Sequence, residues 1–194
     1  LGKSLAKVNL ESVFLRKSTS FLKYDRSTIE KIASVAKQFS EIDSVVFCAG
    51  YGRFGALEQF SYQQIQSLLS VNLLGTIFLT KAVIPKLKQQ SFGNLIFIGS
   101  EAALQGSRQG SIYCASKFAL RGFVQALRDE CARSNIRVSI INPGMVKTAF
   151  FDQLGFEPGA DRSHYLLPED VAETVNFIIN TDPAIVIDEI NMNP

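Results

Sequence analysis

Short runs of consecutive apolar residues alternate along this chain with longer stretches in which apolar positions recur every three or four residues. Residues 44–48, 94–98 and 137–141 are runs of the first kind, and residues 184–190 supply a last one. Brief strands are also expected at 13–15 and 21–24. Between them, Ile29, Ile32, Ala33, Val35, Ala36 and Phe39 share a helical spacing. Residues 61–88 read as a long, bent helical region with Pro85 near its end, and 111–133 as a strong helix. A further helix opens at Pro168, where proline and acidic residues suit a first turn. Strands apolar along their whole length, separated by helices, predict a parallel sheet covered on both faces. The expected class is α/β, doubly wound, with residues 1–194 forming a single domain.

Composition narrows the functional classes. The chain is 46% hydrophobic and 20% charged, with a formal net charge of +2 and no dense run of Lys and Arg, so a nucleic-acid partner is not expected. Its three cysteines, Cys48, Cys114 and Cys131, are far apart and read as reduced thiols. Asn72, Lys81 and Lys86 interrupt the longest apolar stretch, and no signal peptide opens the chain, so no membrane partner and a cytoplasmic location are expected. No metal site is expected.

The chemistry gathers at one edge of the expected sheet. Tyr113 and Lys117 are four residues apart on one helix, and therefore neighbours on one face. A cation beside a phenol favours the phenolate, so Lys117 is expected to lower the pKa of Tyr113 and make it a proton donor and acceptor. Ser100, at a strand end thirteen positions upstream, adds a hydroxyl able to hold an oxygen on which charge develops. That combination suits carbonyl reduction or alcohol oxidation. Cys48-Ala49-Gly50, Gly99-Ser100 and Asn142-Pro143-Gly144 each close a strand, where ligands bind in such sheets. His164 falls in the variable loop that follows, solvent-facing or beside substrate and not catalytic, and Phe150, Phe151 and Phe156 either cover the substrate or simply pack their loop on the domain.

With these residues in place, the chain resembles the short-chain dehydrogenase/reductase family from Asp25 onward. Phe47-Cys48-Ala49-Gly50 stands where the family has Asn-Asn-Ala-Gly, with both asparagines replaced. Asn72, Ser100, Tyr113 and Lys117 match its catalytic residues, and Pro143-Gly144-Met145-Val146-Lys147-Thr148 its Pro-Gly-x-Val-x-Thr stretch. The resemblance implies a Rossmann-like sheet and an oxidoreductase acting on a small alcohol or carbonyl compound. It further implies that Lys117 binds the nicotinamide ribose and that Asn72 holds a water linking the lysine to solvent. Cys48, Ala49, Gly50, Pro143, Gly144, Val146 and Thr148 then line the cofactor, with Cys48 expected as a small buried residue. Asp25 matches the aspartate near the adenine ring. Arg16 and Lys17 follow the presumed second strand, where basic side chains suit a 2′-phosphate, so NADP(H) is favoured over NAD(H). The ending Asp188-Glu189-Ile190-Asn191-Met192-Asn193-Pro194 resembles that of a branch oxidising 3-hydroxy acids and serine-like substrates. Assembly into a homodimer or homotetramer through residues 61–88 and 111–133 is expected by analogy.

The front of the chain departs from the family. Only Leu1-Gly2-Lys3-Ser4-Leu5-Ala6 resembles the tail of its phosphate loop, with Gly2 the remaining glycine, and the first strand and earlier glycines are missing. Residues 13–16 and 21–24 also lie too close for two parallel strands, which need a crossover of about a dozen residues. The expectation is a sequence incomplete near its N-terminus, with an intact mass above 21.4 kDa. The rival readings are a catalytically silent relative kept as a binding or regulatory protein, and an epimerase or dehydratase using the same Tyr-Lys pair.

Overall fold

The computed structural model describes Ser34 and residues 39–194. The strands expected at 13–15 and 21–24, and the cofactor contacts assigned to Gly2, Arg16, Lys17 and Asp25, lie outside the described residues.

Four strands, β1 (Ser44–Phe47), β2 (Gly93–Ile98), β3 (Ile136–Pro143) and β4 (Glu189–Met192), form a parallel sheet in the order β1-β2-β3-β4. Side chains alternate between its faces, and each face has a helical cover. On one, Leu95, Phe97, Val138 and Ile140 pack against Val83 and Leu87 of α2 (Gly75–Gln90) and Leu120, Val124 and Leu127 of α3 (Ser111–Cys131). Phe47 and Phe97, direct partners in the register, stack with ring centroids 4.3 Å apart. On the other, Ile96 and Ile141 meet Ile178 of α4 (Pro168–Asn180). The doubly wound α/β class is therefore observed.

The helical region before β2 is built in three parts. Ser61 caps α1 (Tyr62–Leu69) with a reciprocal pair, its hydroxyl accepting from the Gln64 amide while the Gln64 side chain accepts from its own. At Ser70–Leu74 the backbone widens into a π turn, with the Gly75 N–H reaching the Ser70 carbonyl, and α2 follows. By length and composition the run Tyr62–Gln90 is sufficient to cross a membrane, despite the polar residues expected to interrupt it. In the fold it runs on through the π turn, with Leu68, Val83 and Leu87 buried and the last two packed against the sheet.

Two strand limits differ from expectation. β3 continues through Asn142 and Pro143, because those residues pair with Asn191 and Met192 of β4. β4 itself begins at Glu189 and not at 184. The apolar run before it is out of the sheet, with Ile185 and Val186 exposed and Ile185 donating its amide to Asp182 in a turn.

Candidate active site

The carboxyl ends of β1, β2 and β3 open into a cavity of about 730 Å³. Tyr113 forms its floor. It is 6% exposed, on the first turn of α3, and its phenol hydrogen-bonds Ser100, the residue directly after β2 and Gly99. Ser100 is fixed in extended backbone (φ −174°), where its hydroxyl also accepts from the Ala102 amide at 3.2 Å.

Lys117 lies one turn further along α3, itself only 6% exposed. Its Nζ donates to the Ile98 carbonyl at 3.2 Å and stands 5.9 Å from the Tyr113 ring centroid. Burial holds the ammonium down to a pKa of about 8. Burial likewise pushes the Tyr113 phenol up to about 12, with the Ser100 hydrogen bond opposing and the nearby Cys114 and Glu101 charges adding to the rise. The expected lowering of Tyr113 by Lys117 is therefore not what this geometry gives. Desolvation outweighs a cation directed at a backbone carbonyl.

Asn72 sits in the middle of the π turn, 1% exposed. Its side chain pairs with both backbone groups of Tyr51, accepting from the amide and donating to the carbonyl, each at 3.0 Å. Its second N–H reaches the Ser116 hydroxyl at 3.2 Å, which in turn donates to the Tyr113 carbonyl at 2.7 Å. Asn72 thus ties the loop after β1 to the helix bearing Tyr113 and Lys117. Both amide protons are committed, leaving one acceptor lone pair on Oδ1.

The remaining predicted positions separate cleanly. Cys48, Gly50, Pro143, Gly144, Val146 and Thr148 line the cavity, as do Phe150, Phe151 and Phe156. Ala49 lies in the same turn, exposed and off the cavity wall. Cys48 is exposed where a buried residue was expected, because β1 ends at Phe47 and leaves it on the rim. His164 is exposed in a short turn, Arg162–His164, away from the cavity.

The model of the short chain dehydrogenase family matches residues 5–157. The chain belongs to that family. It is 33% identical over 171 residues to the sepiapterin reductase of Chlorobaculum tepidum, an alignment covering 88% of this chain and 69% of that protein. Among solved structures it is similar to serine dehydrogenase from Escherichia coli, at 27% identity and a TM-score of 0.72 over 86% of this chain and 70% of the other. It is similar also to an alcohol dehydrogenase from Thermococcus sibiricus complexed with 5-hydroxy-NADP, at 28% identity and a TM-score of 0.76 over 87% and 71%. This short-chain dehydrogenase is therefore an oxidoreductase by family.

The donor chemistry of the cavity fits a nicotinamide nucleotide. An ammonium has three protons, and Lys117 gives one of them to Ile98, leaving donors for a ribose diol at the strand ends. A Cβ added to Gly50 would lie 3.8 Å from Lys117 Nζ and 3.4 Å from Asn72 Oδ1, so that glycine keeps the approach to both open. Three participants escaped the sequence reading, Phe54, Glu101 and Ser116, while Asn142 was placed only at a strand end. Phe54 and Glu101 line the cavity, whereas Ser116 and Asn142 are buried supports. Only Ser116 had a signal, since at i+3 from Tyr113 it shares that helical face.

Proposed function

We propose that this chain is an NADP(H)-dependent oxidoreductase that reduces the carbonyl of a small molecule, or oxidises the corresponding alcohol, through Tyr113, Ser100, Lys117 and Asn72. The observation that carries the reading is the buried Lys117 ammonium with a single protein acceptor among the described residues, one helical turn from a phenol that is hydrogen-bonded to Ser100. A buried cation with unfilled donors destabilises a fold unless a ligand uses it.

When bound, the nicotinamide supplies or takes the hydride. Lys117, Gly50 and the 143–148 segment would hold it. A Tyr113 phenol raised to about 12 keeps its proton at neutral pH, so the site stands ready to donate it to a carbonyl oxygen as hydride arrives at carbon. Ser100 orients that oxygen and shares the charge left on the phenolate, which the Lys117 ammonium also stabilises. The free lone pair on Asn72 Oδ1 is the acceptor for a water leading from Lys117. Preference for NADP(H) is supported by Arg16 and Lys17 in the sequence and by the NADP-type ligand named with the Thermococcus sibiricus enzyme.

The test is a screen of small aldehydes, ketones and hydroxy acids with NADPH and NADP⁺, paired with NADPH fluorescence titration. Turnover with saturable NADPH binding is expected. Absence of binding at millimolar NADPH would favour a catalytically silent relative.

A further inference from the structure

Four phenylalanines from two separate loops converge on Tyr113. Phe54 comes from the segment after β1, and Phe150, Phe151 and Phe156 from the segment after β3. The five rings close a circuit: Tyr113 to Phe54 at 5.2 Å, Phe54 to Phe156 at 4.9 Å, Phe156 to Phe151 at 5.8 Å, Phe151 to Phe150 at 5.1 Å, and Phe150 back to Tyr113 at 6.0 Å. Most meet edge-on, the arrangement aromatic quadrupoles favour. None of the four phenylalanines is fully buried, and all four line the cavity. Gly52 is required for this arrangement, because a Cβ there would collide with the Phe150 ring. The rings therefore present a half-exposed aromatic wall beside the proton-donating hydroxyl.

The charge around that wall is selective too. Glu101 directly follows Ser100 and lines the same cavity, with Oε2 only 3.4 Å from where a Cβ on Gly144 would lie. It has no ion-pair partner among the described residues. The basic side chains on the cavity wall are Lys117, which the proposed function assigns to the cofactor, and Arg108, which is exposed as Glu101 is but does not adjoin Ser100 in the chain. A substrate carboxylate entering beside Ser100 would meet an acidic neighbour and an apolar aromatic surface, and both oppose it.

We infer that the substrates are uncharged aromatic aldehydes or ketones, selected by the Phe54, Phe150, Phe151 and Phe156 wall and defended against carboxylates by Glu101. This rests on the oxidoreductase reading above. It stands as an alternative to the hydroxy-acid expectation drawn from the C-terminal sequence, and the carboxylate arm of the test decides between them. In the reduction, the carbonyl carbon would take the hydride that bound NADPH supplies, the C=O π pair would move to oxygen, and Tyr113 would give that oxygen its proton. The products are the aryl alcohol, NADP⁺ and a phenolate reprotonated from solvent.

Three aldehydes separate the terms: benzaldehyde, cyclohexanecarbaldehyde of the same heavy-atom count, and 4-carboxybenzaldehyde, read beside its uncharged methyl ester so that size and charge are told apart. With the full chain and NADPH, kcat/KM for benzaldehyde should exceed that for 4-carboxybenzaldehyde by about tenfold or more, in the range that pocket contacts discriminate. It should exceed that for cyclohexanecarbaldehyde by about threefold to tenfold, the scale of an aromatic pair. Glu101→Gln should narrow the first ratio, and Phe54→Leu the second. A readout that needs no turnover is line broadening of the ring protons of benzyl alcohol, expected to be greater than for 4-(hydroxymethyl)benzoate. Equal rates on all three aldehydes, or preference for the carboxylate, would overturn the substrate assignment and leave the oxidoreductase reading standing. Reduction of none, with no NADPH binding, would overturn both.

Discussion

Lys117 carries a stability penalty that only a ligand relieves. Its pKa falls from 10.5 to about 8 on burial. Between those values the folded chain holds fewer protons than the unfolded one, so stability rises with pH across that window. Below about pH 8 the full penalty applies, about 3 kcal/mol from the size of the shift. Replacing Lys117 by Met should therefore raise the thermal midpoint at pH 7 by several degrees, and the gain should shrink toward pH 10.5. Thermal unfolding of both proteins across that range checks it, and a lower midpoint at pH 7 would show that the Ile98 hydrogen bond outweighs desolvation. Tyr113 acts oppositely. Raised from 10 to about 12, it makes the folded chain hold more protons between those values, so stability falls as pH rises through them. At this scale the sequence was informative where chemistry has a spacing. Tyr113 and Lys117 were legible from one helical turn, and Ser100 from its place at a strand end. Glu101 and Phe54 were not, because contacts made across loops leave no period in the sequence.

Elements are locked together by side chains that reach between them. Asn142 on β3 donates to Glu189 at 2.7 Å and to Asn191 at 2.9 Å, and the two carboxylate oxygens of Glu189 also accept from Arg121 Nε of α3 at 2.9 and 3.1 Å. The helix that bears Tyr113 and Lys117 is thereby tied to the strand ends that bear Pro143 and Gly144. Gly99 makes room for this clamp, because a Cβ there would collide with Asn142 Oδ1, a buried acceptor with no partner among the described residues. Gly99→Ala should thus destabilise the fold by about 1–3 kcal/mol, the usual scale of overpacking, and also disturb the adjoining Ser100. Denaturant unfolding reads the first effect and kcat the second. An unchanged midpoint would mean that Asn142 can turn aside freely. The sequence pattern captured the helices because α3 repeats its buried positions every three or four residues, from Tyr113 to Cys131. It failed at residues 184–188, where an apolar run looks like a strand but the pairing register with β3 starts only at Glu189. It also could not see the π turn at Asn72, because the apolar spacing around it remains helical.

For the molecule as a whole, strands apolar throughout were enough to predict a parallel sheet covered on both faces, and the four strands and their flanking helices follow that arrangement. The position of the cavity followed from the same reasoning, since strand carboxyl ends are where such sheets bind ligands. What the pattern could not supply was the balance of electrostatics inside the cavity, because burial is a property of the assembled fold. That balance keeps the Tyr113 phenol protonated at neutral pH, as the proposed role of proton donor needs, and makes Lys117 a cation whose charge weakens above about pH 8. The central claim is that the Tyr113 hydroxyl transfers the proton. Its most direct measurement is kcat for aldehyde reduction by Tyr113→Phe, with NADPH affinity taken on the same sample. The account predicts a kcat lower by at least about a hundredfold, the scale of general acid catalysis, with NADPH Kd within about twofold of the parent because Lys117 still has its donors. A variant that keeps the parent kcat would contradict it.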